Sequence, residues 1–206
     1  MQLRFSTRLT SEEYVKQEAW QQAYLEHCPL HPNGECSMAR HGTYGRVKPH
    51  GARVARWYCP ESHRTFSLLP DCLASRLSGS LGEIEAVVIQ VEQANSVATA
   101  AEQLRPDIEL PGVMRWIRRR VKGVKASLAI IKELNPEHFA VCQPTITAFS
   151  QHIKDNDVLS ALRGIAALHL AILPPPLGFK PSPLIGGEHK LRYQQQMGPD
   201  PPILFQ

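Results

Sequence analysis

The spacing of apolar residues divides the chain in two. Up to about residue 78 apolar positions tend to alternate with polar ones, and from Ser80 onward they recur with a period near 3.6. In the first part, segments 39–47 and 53–58 are rich in β-branched and aromatic residues, and the turn-prone Lys48-Pro49-His50-Gly51 joins them. That combination predicts a hairpin. Tyr44, Trp57, Tyr58 and Phe66 are its candidate core. Upstream, Thr10-Ser11-Glu12-Glu13 has the form of a capping box, in which hydroxyl and carboxylate satisfy orphan N–H groups reciprocally. It predicts a helix over about 11–26, with Tyr14, Ala19 and Tyr24 among its less polar positions.

In the second part, Leu81, Ile84, Val87, Val88 and Val91 make one apolar stripe, broken at Asn95-Ser96. Val97, Ala100, Ala101 and Leu104 make a shorter one, stopped by Arg105-Pro106. Pro111, well placed in a first helical turn, opens a third. There Met114, Ile117, Val121, Val124 and Leu128 share one face, and Arg115, Arg118, Arg119, Lys122 and Lys125 share another. Three helices with a short second and a basic third form the pattern of a helix-turn-helix, whose third helix enters the major groove. A further helical stretch starts at Asn135-Pro136 and is divided by Pro144, and another is capped at Asn156-Asp157 and runs to Leu173. Eight of the 17 prolines fall from Pro174 onward, which predicts an extended tail ending in the apolar Ile203-Leu204-Phe205.

Net charge is only +4, yet it is unevenly spread. Residues 40–64 hold six Lys/Arg against one acid, and residues 114–125 hold six against none. Positive charge gathered in two segments suits a phosphate-binding surface, because each neutralised phosphate releases condensed counterions. No run approaches the ~20 apolar residues of a membrane helix. The first residues, MQLRFSTRLTSEEY, lack an apolar signal core, so a cytoplasmic, non-membrane protein is expected. Five cysteines fit a reducing compartment better than a disulfide framework.

Candidate metal ligands crowd near the N-terminus: Cys28, His31 and Cys36, then Cys59 and His63. Zinc takes four tetrahedral ligands from thiolate and imidazole, and two short ligand-bearing turns at the ends of a hairpin can supply them two and two. The expected set is Cys28, Cys59 and His63, with either His31 or Cys36 in the fourth place.

The run from Cys28-Pro29-Leu30-His31 through Arg40-His41-Gly42-Thr43-Tyr44-Gly45-Arg46 continues as Arg56-Trp57-Tyr58-Cys59-Pro60 and Thr65-Phe66-Ser67-Leu68-Leu69-Pro70. It resembles the zinc ribbon that precedes a helix-turn-helix in many bacterial transposases and related mobile-element proteins. The resemblance covers about residues 28–77, and more loosely the helices to about 130. One departure is that Ser62 stands where the second knuckle usually has a Cys, and His63 follows it.

These readings combine into a mainly α protein with a small N-terminal zinc-ribbon hairpin. The expected units are an N-terminal helix (1–26), a ribbon (27–78), a helix-turn-helix-like domain (79–134), a helical extension (135–173) and a proline-rich tail (174–206). The resemblance implies a DNA-binding protein of a mobile element: an accessory factor, regulator or non-catalytic transposase relative. Arg40, Arg46, Lys48, Arg53 and Arg56 on the hairpin would grip the DNA backbone. Arg115, Arg118, Arg119, Lys122 and Lys125 would face the groove or its phosphates, and the tail would dock on a recombinase or another mobile-element protein. No catalytic residues are expected, since the chain shows no phosphate loop, nucleophile elbow or His-Glu-x-x-His helix. A zinc-stabilised adaptor that recruits a partner through its tail is the alternative. RNA stacking on Tyr44, Trp57 and Tyr58 is a third reading.

Overall fold

Alternation in the N-terminal part builds more sheet than one hairpin. In the computed structural model, which describes residues 1–34, 36–155 and 157–179, four strands form one mixed sheet. They are β1 (Gln2–Phe5), β2 (Ala39–Gly45), β3 (Arg53–Cys59) and β4 (Arg64–Pro70). Their spatial order is β1-β4-β3-β2. β2, β3 and β4 pair antiparallel in succession, whereas β1 lies parallel to β4. The fold is therefore α/β, and the mainly α architecture with only a small hairpin is corrected. Two features account for the difference. The short turn after Cys59 returns the chain as β4, in register with β3 through Trp57↔Phe66 and Ala55↔Leu68. β1 is four residues long and pairs only with a strand far along the chain, so nothing local marks it.

Strand side chains alternate between the two faces of the sheet, and those faces contribute to different cores. Leu3, Ala55, Trp57, Cys59, Phe66 and Leu68 pack with Ala23, Leu25 and Cys28. Val54 and Leu69 belong to the larger cluster, which runs from Tyr14 to Phe179 in sequence and includes Ile84, Val88, Leu128, Phe149 and Leu162.

The helices are α1 (Ser11–Lys16), α2 (Leu81–Gln93), α3 (Val97–Leu104) and α4 (Leu110–Leu134), followed by α5 (Pro136–Phe139), α6 (Ile146–Ser150) and α7 (Val158–Ile165), and all but α3 feed that cluster. The Thr10 capping box forms as expected. The helix it opens ends ten residues earlier than predicted, because Glu18 adopts a left-handed conformation (φ 48°) before a 3-10 turn at Ala19–Gln21. α7 is likewise shorter than expected and passes into a 3-10 turn at Ala167–His169. A smaller cluster of Val87, Ala101, Val113 and Ile117 joins α2, α3 and α4.

Buried polar side chains tie distant segments together. Arg163 on α7 is fully buried and donates to the carbonyls of Pro70, Asp71, Leu73, Pro176 and Leu177. Arg4 on β1 makes a bidentate pair with Asp71 (2.8 and 2.9 Å). Glu85 on α2 accepts the Val158 and Leu159 N–H groups at the start of α7, and Glu92 accepts those of Ile146 and Thr147 on α6. The first residues of the proline-rich tail dock on their own core: Ser127 donates to the Pro174 carbonyl, and Phe179 N–H to Leu170. The rest of the tail, 180–206, lies outside the described residues.

Candidate functional site

Cys28, His31, Cys36 and Cys59 bring their ligand atoms within 4.8 Å of one another. Two turns bend the chain to do this. His31 N–H donates to the Cys28 carbonyl, and Gly34 N–H to the His31 carbonyl. Gly34 has φ +83°, a conformation that side-chain-bearing residues rarely adopt. The loop thereby doubles back, so that Cys36 rejoins Cys28. Cys59, the last residue of β3, rises from the sheet face that this loop covers.

The geometry fits a tetrahedral ion. His31 Nδ1 lies 3.4 Å from both Cys28 Sγ and Cys59 Sγ. Metal bonds of 2.0 Å to nitrogen and 2.3 Å to sulfur at the tetrahedral angle would place those atoms about 3.5 Å apart. The four side chains can hold one metal ion. Burial raises the Cys28 thiol above its ordinary value, and the neighbouring Cys36 and Cys59 thiols raise it further, outweighing backbone N–H groups of Leu30 and His31. Burial also opposes ionisation of Cys59, but Ser62 together with the neighbouring Cys28 and Cys36 thiols outweighs it and brings that thiol below its ordinary value. Three sulfurs and an imidazole nitrogen this close together are a donor set that a cation can share.

The alternatives within the expected ligand set resolve differently from expectation. His31 and Cys36 both join the group, and His63 stands outside it. His63 follows the Pro60-Glu61-Ser62 turn at φ 49°, and its Nδ1 lies 2.9 Å from the Tyr58 hydroxyl. Tyr58 and Cys59 point to opposite faces of the sheet, so a ring held at Tyr58 lies away from the sulfurs. The expected pairing of Cys59 with His63 is thus not among the side chains brought together.

The basic residues fall into two groups. On α4, Arg115, Arg118, Arg119, Lys122 and Lys125 are all exposed, opposite buried Val113, Ile117, Val124, Leu128 and Ile131. On the hairpin three guanidinium groups have structural partners. Arg40 donates to the carbonyls of Trp20 and Gln21, Arg46 to those of Ala74 and Leu77, and Arg53 to the Thr43 hydroxyl. Arg56 is half-buried, and only Lys48 is exposed without such a bond. Trp57 is buried on the sheet face of the Cys/His group, with Tyr24 edge-on against it at 5.1 Å. The sequence reading passed over Trp116 and Arg120 on α4 and Arg105 after α3, whose aromatic and guanidinium groups stack together. The i, i+4 spacing of Trp116 and Arg120 is the available signal.

No protein-family model, curated protein or solved structure matches the chain, so none ties it to transposase DNA-binding regions. Among the described residues no helix is long and apolar enough to cross a membrane.

Proposed function

We propose that this protein is a zinc-stabilised DNA-binding protein whose recognition element is α4. The observation that carries the reading is the outer face of that helix. Five cations at positions 115, 118, 119, 122 and 125 share one exposed face, and the opposite face is anchored in the core. A rigid, core-anchored row of cations is preorganised for the phosphates of a duplex, so few side chains must be ordered on binding. Arg adds the bidentate fork that matches guanine in the major groove.

Zinc is the metal best matched by three thiolates and one imidazole. With all four positions filled by protein, the ion leaves no open site to activate water, and its role is to fix the loop that covers the sheet. The placement in a mobile element, as accessory factor, regulator or non-catalytic transposase relative, rests on the resemblance of residues 28–77 alone.

The test is Arg115→Ala with Arg119→Ala in the full zinc-loaded chain. Both side chains point away from Ile117 and Val124, so thermal stability should be unchanged. The slope of log affinity against log salt should become shallower by about two units, one per lost phosphate contact. If duplex affinity and salt slope are unaltered by the double change, α4 is only a member of the helical layer and the reading fails.

A further inference from the structure

A second cationic site lies where the hairpin tip meets the helices. A groove of about 350 Å³ is lined by Lys48 from the β2–β3 turn, Arg105 after α3, and Trp116 and Arg120 on α4. Ile84 and Val87 of α2 complete its apolar wall. The Arg120 guanidinium carbon sits 4.0 Å from the centre of the Trp116 ring, and that of Arg105 sits 4.7 Å from it. Both guanidinium groups are thereby held close around one indole.

What this cluster lacks is a carboxylate in direct contact. Among the described residues no carboxylate lies within ion-pair range of Lys48, Arg105 or Arg120. Glu83 is the one acid in the lining, and its carboxylate accepts the Ser80 N–H as half of the α2 capping box. The remaining bonds of Arg120, to the carbonyls of Trp116 and Ser78, are both long at 3.4 Å. Burial and the neighbouring Arg105 charge press the Arg120 guanidinium below its ordinary value, and the Glu83 charge offsets only part of this. A helix-stabilising stack would need only one arginine and no lysine facing it from the sheet.

We propose that Lys48, Arg105 and Arg120, with the arginines stacked on Trp116, form a clamp for a phosphate group. The planar forks suit two oxygens of a phosphate, and the Lys48 ammonium supplies a third, point-like contact. The phosphate can belong to a free phosphoanion or to a phosphodiester of a bound nucleic acid. The clamp does not depend on the outer face of α4.

The probes are inorganic pyrophosphate and a short DNA duplex, titrated at low salt into the full zinc-loaded chain. Trp116 fluorescence is the readout, because Trp20 and Trp57 are buried elsewhere. Pyrophosphate should change the emission, Trp116→Phe should silence the change, and Arg105→Gln with Arg120→Gln should weaken binding at least tenfold. Arg105→Gln and Lys48→Gln alone, which leave the Arg120 contact to Ser78 intact, should each weaken it by a smaller factor. Competition by duplex identifies the phosphodiester as the natural occupant, and absence of competition identifies a free phosphoanion. Duplex binding that drops in the double variant, with no pyrophosphate response, supports the clamp for phosphodiester alone. The clamp is overturned if neither probe responds to these substitutions, whether it binds or not. Arg115→Ala with Arg119→Ala should leave pyrophosphate binding intact, which separates failure of the clamp from failure of the α4 reading.

Discussion

At the scale of single residues, the metal group turns on which side chains the strand faces allow. The spacing from Cys28 to His31 and the cysteine at the end of β3 are legible in the sequence. The choice of Cys36 over His63 is not, because it depends on a left-handed Gly34 and on Tyr58 capturing the His63 ring across the sheet. The two outcomes separate experimentally. Purified protein should carry one zinc per chain by elemental analysis. Cys36→Ala should lose most of it and His63→Ala should retain it; zinc lost from the second variant and kept by the first would refute the four-residue group. Arg163 shows the opposite limit of legibility. A lone arginine in an apolar stretch gives no hint that five carbonyls from two segments converge on it.

At the scale of elements, periodicity located α2, α3 and α4, because their apolar stripes are long and their breaks carry Asn-Ser or Arg-Pro signals. It did not reveal how separate helices are joined through buried carboxylates. Glu85 sits against the N-terminus of α7, and burial raises it to about 7, against the opposing Val158 and Leu159 N–H groups and with Asp155 and Asp157 adding to the rise. The folded state therefore holds this proton more tightly than the unfolded chain does. Its contribution to stability is fully present below about pH 4.5 and is lost as pH rises through about 7. Glu85→Gln mimics the protonated group. Relative to that variant, the wild type should lose on the order of 2 kcal/mol of unfolding free energy between pH 5 and pH 8. Denaturant titrations that stay parallel across this range would show that Glu85 is ionised throughout.

At the scale of the whole molecule, the hairpin was legible and the sheet was not. β1 and β4 pair across more than sixty residues, and a parallel neighbour leaves no local turn to recognise. The basic hairpin changes meaning for the same reason: Arg40 and Arg46 serve the carbonyls of segments they meet only in the folded chain. The basic side chains of α4 keep the outward position their spacing suggested, since an outward helix face needs no tertiary partner. DNA recognition by this face is the central claim, and equilibrium binding of the zinc-loaded chain to a short duplex across a salt series tests it most directly. Five phosphate contacts predict that log affinity falls against log salt with a slope of about −4 to −5. Absence of duplex binding at low salt, or an affinity indifferent to salt, would contradict it.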